Sequence, residues 1–247
     1  MTDAAKKLED LKSFIERYGE FTKEHSQLRF QAFKRDFCVL SSGLEAMSNM
    51  AMQIDKSLAT RFNLFKLLQV ERNEVYTHSA ILADLLDPRG THGQGSLFLE
   101  GFLKMLFAKN SFCSTDIKFE QVSFAKGHAW TVNKELVTSL GRLDIVISSI
   151  DQSIQIVIEN KIDAQEQCDQ LERYQTWLKM HNNNFAHQCL CYLTTYGYDS
   201  NTAFSGSYTK LSYLDDICHW LSGLMPFVGA VAVHEALKQY IAIIRDF

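Results

Sequence analysis

The sequence predicts an α/β protein in which a mixed β-sheet is flanked by helices and preceded by a helical N-terminal segment. Two neighbouring runs, 142–148 and 154–162, are rich in β-branched and apolar residues and are separated by a short polar stretch, as the strands of a hairpin are. A third such run, 187–194, comes after a stretch with helical spacing. Strands and helices that alternate in this way are typical of a layered α/β core.

Residues 8–68 have the pattern of a helical segment. Apolar side chains recur there at intervals of three or four residues, which is the spacing of one helix face. Such a segment is more often a packing layer or a dimer surface than part of a catalytic site. We therefore predict a helical segment over residues 1–68, packed on a core with C-terminal helices that spans residues 69–247. The residues that carry the pattern are Leu11, Phe14, Ile15, Tyr18, Phe21, Leu40, Leu44, Met47 and Met50.

The elements of the predicted core follow one another along the rest of the chain. Because a helix connects the third strand to the fourth, these two strands are expected to run parallel, whereas the short loop before the third strand makes a hairpin. The sheet is therefore mixed. The predicted bounds are helices 74–86 and 96–108, strands 132–138, 142–148 and 154–162, helix 164–180, strands 187–194 and 208–213, and helices 215–224 and 231–247.

The hairpin is predicted to bring three ionisable side chains together. Successive side chains of a strand point to opposite faces, so Asp144, Glu159 and Lys161 all lie opposite the apolar faces of their strands. If the loop is centred between residues 151 and 152, Asp144 lies directly across from Glu159, with the two Cβ atoms about 5 Å apart. The apolar faces consist of Leu143, Ile145 and Ile147 on the first strand and of Ile154, Ile156, Ile158 and Ile162 on the second.

Two carboxylates that face each other destabilise a sheet unless a positive charge lies between them. Mg²⁺ is the natural candidate, because it is held by one or two carboxylates, keeps several waters and takes further oxygens from a phosphate. A bound metal stabilises charge on a phosphate and favours attack by water. Lys161 has two open roles on the same face: it orients or deprotonates the attacking water, or it offsets negative charge in the transition state.

The residues after the hairpin predict a helix with polar side chains near this site. Asp163 and Glu166 have the spacing of a capping box, which marks the start of a helix. Gln170 and Tyr174 are four residues apart, so they are neighbours on that helix and can reach a phosphate or the attacking water. Neither fits the apolar stripe well. That stripe consists of Ala164, Cys168, Leu171 and Leu178.

The order of these residues resembles the PD-(D/E)xK nuclease superfamily. The matching motifs are G-R-L-D at 141–144, E-N-K at 159–161 and Q-L-E-R-Y at 170–174. The Q-x-x-x-Y element is the more specific part, and segments at 62–65, 74–79 and 82–88 are similar to one branch of bacterial members. The resemblance covers roughly residues 62–197. Leu143 stands where the superfamily's name has proline, a change that the superfamily commonly tolerates.

The resemblance implies a restriction-endonuclease-like core and a nuclease that uses Mg²⁺, with Mn²⁺ as a substitute. Asp144 and Glu159 would hold the metal, helped by the backbone carbonyl of Asn160. Glu74 would join them as a metal ligand, because it matches a glutamate on the first core helix of many members. Glu135, on the strand before the hairpin, is a weaker candidate for the same site.

The remaining roles follow from the same resemblance. Lys161 would position or activate water with the support of Gln170, and Tyr174 would be a secondary contact. Arg142, on the same face as Asp144, is a supporting candidate for contact with phosphate. His92, in the turn after Pro88, resembles a recurrent histidine of the branch, without an assigned chemical role.

The function implied by the resemblance is hydrolysis of phosphodiester bonds in nucleic acid. A DNA endonuclease in bacterial defence against foreign DNA, including phage DNA, is favoured, and an RNA-cleaving enzyme of the same fold is one alternative. A second alternative is a subunit that does not cleave but binds nucleic acid or protein through its N-terminal helices, as a homodimer or with a partner protein. Members of this branch often continue past the final helix, so we expect either a short member or further substrate-selecting elements beyond it.

Each site assignment also has a plainer alternative. The spacing D-x14-E-x-K occurs by chance in many proteins, and surface strands often carry Glu and Lys on a solvated face. Gln170 and Tyr174 would then lie on a solvated helix face. Arg142 would pair with a neighbouring acid, and His92 would stabilise its loop. We favour the catalytic interpretation because the hairpin register, the following helix and Glu74 agree with it.

Composition sets further limits on the function. A chain of 247 residues with 46% hydrophobic content can bury a substantial core. The net charge of −4 argues against binding of nucleic acid, which depends on Lys and Arg near phosphates, unless a local basic cleft is present. The candidates for such a cleft are Arg61, Lys66, Lys126, His128, Lys134, Arg173 and Lys179.

Several classes of protein are disfavoured by missing motifs. The six cysteines include no C-x-x-C pair, so we expect them to be reduced and structural. No H-E-x-x-H spacing and no G-x-S-x-G elbow occur, which argues against a zinc hydrolase and a serine hydrolase of that type. The sequence has no apolar run near the roughly 20 residues that span a bilayer and no signal peptide, so we expect a cytoplasmic protein without a membrane partner.

Overall fold

The computed structural model describes residues 3–59, 61–109, 111, 117–124, 130–203 and 206–247, with side chains from residue 6 onwards. The chain divides into two compact units, Met1–Phe62 and Asn63–Phe247. This division does not show whether segment 1–68 packs on a core over residues 69–247. That packing therefore stays a prediction. Cys113, Lys126 and His128 lie outside the described residues.

The first unit consists mainly of one long helix, α1 (Asp3–Leu58). Its large apolar side chains are exposed along the whole length, for example Phe14 at 59% and Met47 at 71%. The helical pattern predicted for this segment is therefore confirmed, although the helix ends at Leu58 rather than near residue 68. Among the described residues, no helix combines the length and the apolar character needed to cross a membrane, and α1 is no exception.

The second unit contains a five-stranded sheet with helices on both sides. Two short π-helical turns, Glu74–Ser79 and Tyr213–Ile217, lead directly into α-helices, so the helices predicted at 74–86 and 215–224 both begin with π geometry. The elements are α2 (Leu64–Leu67), α3 (Ala80–Leu86), α4 (Leu97–Ala108), β1 (Thr131–Thr138), β2 (Gly141–Ser149), β3 (Ile154–Lys161), α5 (Gln170–Met180), β4 (His187–Thr194), β5 (Thr209–Ser212), α6 (Cys218–Leu224) and α7 (Val231–Arg245).

The strands lie side by side in the order β1-β2-β3-β4-β5. The first three are antiparallel, whereas β3 pairs parallel with β4 and β4 pairs parallel with β5. The hairpin of β2 and β3 has the predicted register, with Ile145 opposite Ile158 and Ser149 opposite Ile154. The mixed sheet and the parallel pairing across a helical connection are both confirmed.

Both faces of the sheet are buried. The alternation of apolar and polar residues along β2 and β3 had predicted that only one face of the hairpin is apolar. One face packs Ile145, Ile147 and the isoleucines of β3 against α3, α4, α6 and α7. The other face packs Val146 and Val157 against α5. Leu143 belongs to this second cluster, so the prediction that it shares a face with Ile145 was wrong. Next to Leu143, the ladder between β1 and β2 lacks the pair of Glu135 and Asp144, and Glu135 has a left-handed φ of 55°.

Helix α5 begins at Gln170, six residues after the predicted start at 164. The predicted capping box is absent from the described structure of this segment, because Glu166 accepts hydrogen bonds from Ser200 and Thr202 in a distant loop instead. Asp169, with φ of 54°, sets the entry of the chain into the helix. Cys168 is exposed in the preceding loop and is not part of an apolar stripe.

Candidate active site

The start of β2 and the end of β3 bring Asp144, Glu159 and Lys161 together. The Nζ atom of Lys161 lies 2.5 Å from Oε1 of Glu159. The backbone N–H of Asn160, between these two residues, donates a hydrogen bond of 2.7 Å to Oδ2 of Asp144. Glu159 is fully buried, and Asp144 and Lys161 are only 7% and 9% exposed. The plainer alternative of a solvated strand face is therefore wrong.

Burial makes these carboxylates hard to ionise. It raises the pKa of Asp144 to about 6, although the hydrogen bond from Asn160 and the charge of Lys161 act in the opposite direction. Burial and the neighbouring Asp144 raise the pKa of Glu159 well above its usual value. Two facing carboxylates in such a site share a proton or bind a cation.

Lys161, in contrast to the two carboxylates, keeps its charge. Burial alone lowers its pKa, but the charge and hydrogen bond of Glu159 and the charges of Asp144 and Glu74 raise that pKa more, so the net shift is upward. Its ammonium group therefore stays protonated at neutral pH, as a fixed positive charge beside the two carboxylates.

Glu159 presents one carboxylate oxygen that is open to a cation. Its Oε1 contacts Lys161 and accepts a hydrogen bond from Gln170, whereas its Oε2 is buried and has no hydrogen-bond partner among the described residues. A buried carboxylate oxygen in this state is unfavourable unless a cation binds it.

The donor set suits Mg²⁺ better than a metal that needs a full protein cage. Within the described ranges, no cluster of three or more His, Cys, Asp and Glu could hold a metal ion by itself. Mg²⁺ requires only one or two carboxylates, because waters and other oxygens complete its octahedron. The pair of Asp144 and Glu159, with Oε2 of Glu159 open, therefore fits this ion.

Helix α5 holds Glu159 from the other side. The side-chain Nε2 of Gln170 donates hydrogen bonds of 2.7 Å to Oε1 of Glu159 and of 2.9 Å to the hydroxyl oxygen of Tyr174. The Tyr174 hydroxyl in turn donates a hydrogen bond of 2.6 Å to the carbonyl of Arg142. Both side chains are buried, so the solvated-face alternative is wrong for them. Gln170 thus orients the carboxylate of Glu159, and Tyr174 connects Gln170 to the start of β2.

Glu74 approaches the site from the π-helical turn Glu74–Ser79, hereafter the Glu74 turn. Its Oε2 accepts a hydrogen bond of 2.9 Å from the backbone N–H of Ile162, and its Oε1 lies 3.8 Å from Nζ of Lys161. The side chain of Asn73 caps the turn through the N–H of Tyr76. The structure thus places a third carboxylate at the edge of the pair.

Glu135 and Arg142 lie next to the pair but bind each other. The Nε atom of Arg142 is 2.6 Å from Oε2 of Glu135, as an ion pair without hydrogen-bond geometry. Glu135 falls opposite Asp144 in the register, and its charge adds to the burial that raises the pKa of Asp144. The pairing of Arg142 with a neighbouring acid is the plainer alternative that the sequence had left open.

His92 is buried in the turn between α3 and α4, where both ring nitrogens have local partners. Its Nε2 lies 3.0 Å from the carbonyl of Asp87, and its Nδ1 accepts a hydrogen bond of 3.0 Å from the N–H of Gln94. The ring packs edge-on against Phe98. These contacts favour the loop-stabilising alternative for this residue.

A polar cavity of about 540 Å³ opens beside Lys161 and extends along the ends of β3 and β4. Its walls also include Tyr192, Thr194 and Tyr198. A larger cavity of about 1010 Å³ between α4 and α6 is lined mainly by apolar groups. We place the chemistry at the smaller cavity, because it contains the lysine of the carboxylate pair.

The side chain of Asn160 was missed by sequence reasoning, which considered only its carbonyl. It is buried on the opposite side of the sheet from Glu159, among Ser79 and Tyr213. The sequence does contain a signal for it. Asn160 is a carboxamide at a strand position whose neighbours on the same face, Ile156 and Ile158, are apolar.

The comparisons with known proteins agree with this geometry. A family model described as PD-(D/E)XK nuclease superfamily matches residues 62–242. The chain therefore belongs to the PD-(D/E)XK nuclease superfamily, and the five-stranded mixed sheet flanked by helices is consistent with a restriction-endonuclease-like fold. Membership implies a nuclease, and hence a nucleic acid substrate. No curated protein and no solved structure matches the chain.

Proposed function

We propose that this protein is a Mg²⁺-dependent nuclease. The specific function that we favour is that of a DNA endonuclease, which acts in bacterial defence against foreign DNA such as phage DNA. The observation that carries the proposal is the buried pair of Asp144 and Glu159, with Oε2 of Glu159 open and Lys161 beside it. Family membership supports the nuclease part of this proposal. The defence role rests on the resemblance to one bacterial branch.

Asp144 and Glu159 are the proposed metal ligands, with Glu74 and the carbonyl of Asn160 in support. Mn²⁺ is expected to substitute for Mg²⁺, because both prefer oxygen ligands. When bound, the metal would polarise the scissile phosphate and promote attack by water. Gln170 keeps Oε1 of Glu159 turned towards Lys161, so that Oε2 would be available to hold the metal. Tyr174 fixes Gln170 to the start of β2.

The charge of Lys161 distinguishes between its two open roles. A lysine that stays protonated cannot accept a proton from water, but it can hold a water by donating a hydrogen bond and can offset charge on the phosphate. In the protein without metal the neighbouring carboxylates raise its pKa, and this favours the electrostatic role. We therefore propose that Lys161 positions water and stabilises the transition state, without acting as a base.

RNA cleavage remains the enzymatic alternative, because the same residues can act on either backbone. A subunit that binds without cleaving is the other alternative, and the retention of Asp144, Glu159 and Lys161 in one buried site argues against it. A cytoplasmic location stays a prediction from the sequence.

The experiment that tests this proposal is incubation of the full chain with supercoiled plasmid, linear duplex DNA and single-stranded RNA, with Mg²⁺ or Mn²⁺. Wild type is compared with Asp144→Ala and Lys161→Ala. Cleavage that requires metal and is lost in both variants establishes the site and identifies the substrate. If the folded wild-type protein cleaves none of the three, the proposal of an autonomous nuclease is wrong.

We also propose that α1 assembles with a second copy of this chain. Exposed apolar surface of this extent typically marks a binding surface. In the second half of α1, positions spaced alternately four and three residues apart are all apolar, which is the spacing of a coiled-coil seam. These positions are Phe33, Phe37, Leu40, Leu44, Met47, Ala51, Ile54 and Leu58.

Light scattering on the full chain tests this assembly. We expect twice the chain mass of 28.3 kDa, and we expect the double variant Leu44→Glu, Met47→Glu to return to the single-chain mass. A wild-type protein that stays at the single-chain mass over a wide concentration range contradicts the homodimer. In that case the surface is left for a different partner protein.

A further inference from the structure

Asn160 lies between Glu159 and Lys161 on β3, but its side chain is buried on the opposite side of the sheet. It is fully buried, on the face that Ile156 and Ile158 share. Burying a carboxamide in an apolar layer is unfavourable unless its polar groups are paired. The position therefore calls for a reason other than packing.

Every polar group of this carboxamide has a partner. Its Nδ2 donates hydrogen bonds to Oγ of Ser79 at 3.0 Å and to the backbone carbonyl of Glu74 at 3.4 Å. Its Oδ1 accepts a hydrogen bond of 2.9 Å from the hydroxyl of Tyr213. Ser79 and Tyr213 are themselves fully buried. A buried polar network that is satisfied in this way fixes a single arrangement of the groups that it joins.

The two acceptors of Nδ2 belong to the first and last residues of the Glu74 turn. Single π-helical turns occur frequently at functional sites, because they shift the side chains that follow. Here the wider turn lets one carboxamide reach both ends. The side chain of Glu74 makes a further bond to the same strand segment, through the N–H of Ile162. The turn is thus attached at three points to β3 and to the residue that follows it.

The same residue also contacts the carboxylate pair through its backbone. Its N–H donates the hydrogen bond to Oδ2 of Asp144, and its neighbours in the chain are Glu159 and Lys161. Asn160 therefore connects the three elements that supply carboxylates to the site: β2 with Asp144, β3 with Glu159 and the turn with Glu74.

Tyr213 holds the oxygen of the carboxamide through its hydroxyl. Its ring packs edge-on against His78, at a centroid distance of 5.2 Å. His78 belongs to the Glu74 turn and has partners on both ring nitrogens, the Tyr240 hydroxyl at 3.0 Å and the Glu71 carbonyl at 2.9 Å. The orientation of the carboxamide is fixed by the backbone carbonyl of Glu74, which can only accept and so requires Nδ2 on its side, leaving Oδ1 towards the hydroxyl of Tyr213.

We propose that the side chain of Asn160 is a positioning residue, which sets the position of Glu74 relative to Asp144 and Glu159 and so determines the affinity of the site for Mg²⁺. Ser79 and Tyr213 act through it. This inference rests on the proposed function, because it concerns the metal of that reaction. The carboxamide itself contacts neither metal nor substrate.

The experiment uses variants that remove one hydroxyl each. Ser79→Ala and Tyr213→Phe delete a bond to Asn160, whereas the control Ser149→Ala deletes a buried hydroxyl at the far end of β2, where it accepts a hydrogen bond from Gln152. Two quantities are measured for the full chain: the concentration of Mg²⁺ at half-maximal plasmid cleavage, and the Mg²⁺ concentration at half-maximal rise in Tm without DNA.

Both Mg²⁺ midpoints are expected to rise roughly 10-fold or more in Ser79→Ala and Tyr213→Phe, since groups that orient metal ligands typically have effects of this size. Ser149→Ala should lower Tm in the absence of metal but leave both midpoints unchanged. The inference is overturned if the three variants shift the midpoints equally, or if none shifts them. Failure of the proposed function looks different: wild type itself then shows neither cleavage nor a rise in Tm with Mg²⁺.

Discussion

Gln170 and Lys161 bind the same oxygen of Glu159, at 2.7 Å and 2.5 Å, and leave the other oxygen of that carboxylate open. One oxygen is thereby saturated by a neutral donor and a cation. The carboxylate cannot rotate without losing both contacts, so the direction of Oε2 is fixed by α5 and β3 together. A ligand oxygen fixed in this way costs less entropy to bind a metal than a mobile one.

Gln170→Ala should therefore weaken catalysis without abolishing folding. Loss of a group that orients a metal ligand typically lowers activity or metal affinity about 10- to 100-fold. The measurement is the rate of plasmid cleavage over a range of Mg²⁺ concentrations, with Thr176→Ala on the exposed side of α5 as the control. An unchanged rate at all concentrations would show that Glu159 does not need this contact.

Asp144→Asn should abolish cleavage and yet stabilise the metal-free protein. Burial raises the pKa of Asp144 from 3.8 to about 6, so its charge destabilises the folded state by up to about 3 kcal/mol above pH 6. An asparagine oxygen can still accept the hydrogen bond from Asn160.

The stabilisation by Asp144→Asn should depend on pH. It is largest above pH 6, where Asp144 is ionised, and shrinks as the pH falls from about 6 to 3.8, because the folded wild type then takes up a proton. Urea unfolding at pH 8 and pH 4.5 checks this. Saturating Mg²⁺ should reverse the order and favour the wild type. A variant that is less stable than wild type at pH 8 without metal would contradict the account.

His78 should make the protein sensitive to acid. Burial lowers its pKa from 6.5 to about 4, so the unfolded chain binds a proton between these pH values that the folded chain does not bind. Stability is therefore lost as the pH falls through this window, by up to about 3 kcal/mol. Below pH 4 this residue causes no further loss.

The variant His78→Gln isolates this effect, because glutamine keeps a donor and an acceptor but does not titrate. The free energy of unfolding is measured for both proteins at pH 7.5 and pH 4.5. We expect the loss on acidification to be smaller in the variant, whatever its absolute stability. Equal losses would mean that His78 is protonated in the folded protein.

Gly141→Ala should disturb the site through Tyr174. Gly141 has φ of 137°, and a Cβ atom there would lie 3.2 Å from Cε1 of Tyr174. The strained backbone costs about 1–3 kcal/mol, and the displaced ring loosens the hydrogen bond that Gln170 donates to Tyr174. We expect lower Tm and slower cleavage. Gly206→Ala, at φ of 88° with open space around it, should lower Tm without slowing cleavage.

The hairpin and its register could be predicted because they depend on local pattern. Alternation and the position of one loop determine which residues of β2 and β3 face each other, and the pairs from Ile145–Ile158 to Ser149–Ile154 agree with this. Asp144 and Glu159 follow from the same arithmetic. The exception is Leu143, which packs in the cluster against α5.

The start of α5 and the surroundings of Asn160 could not be predicted, since both depend on distant residues. Glu166 has the right spacing for a cap, but a loop 34 to 36 residues away supplies better donors. The partners of Asn160 are 81 residues before it and 53 after it. No local pattern carries that information, although a polar residue on an apolar strand face indicates that such partners exist.

The measurement that tests the central claim most directly is the Mg²⁺ dependence of plasmid nicking by wild type and by Glu159→Gln, with EDTA as a further control. Glutamine keeps the size of the side chain and can still accept the bond from Gln170, but it removes the charge that a cation requires. We expect nicking by wild type that saturates with Mg²⁺ and stops with EDTA, and a rate at least about 10²-fold lower in the folded variant. Nicking that persists in EDTA, or a variant as active as wild type, would contradict the claim that the pair of Asp144 and Glu159 binds the catalytic metal.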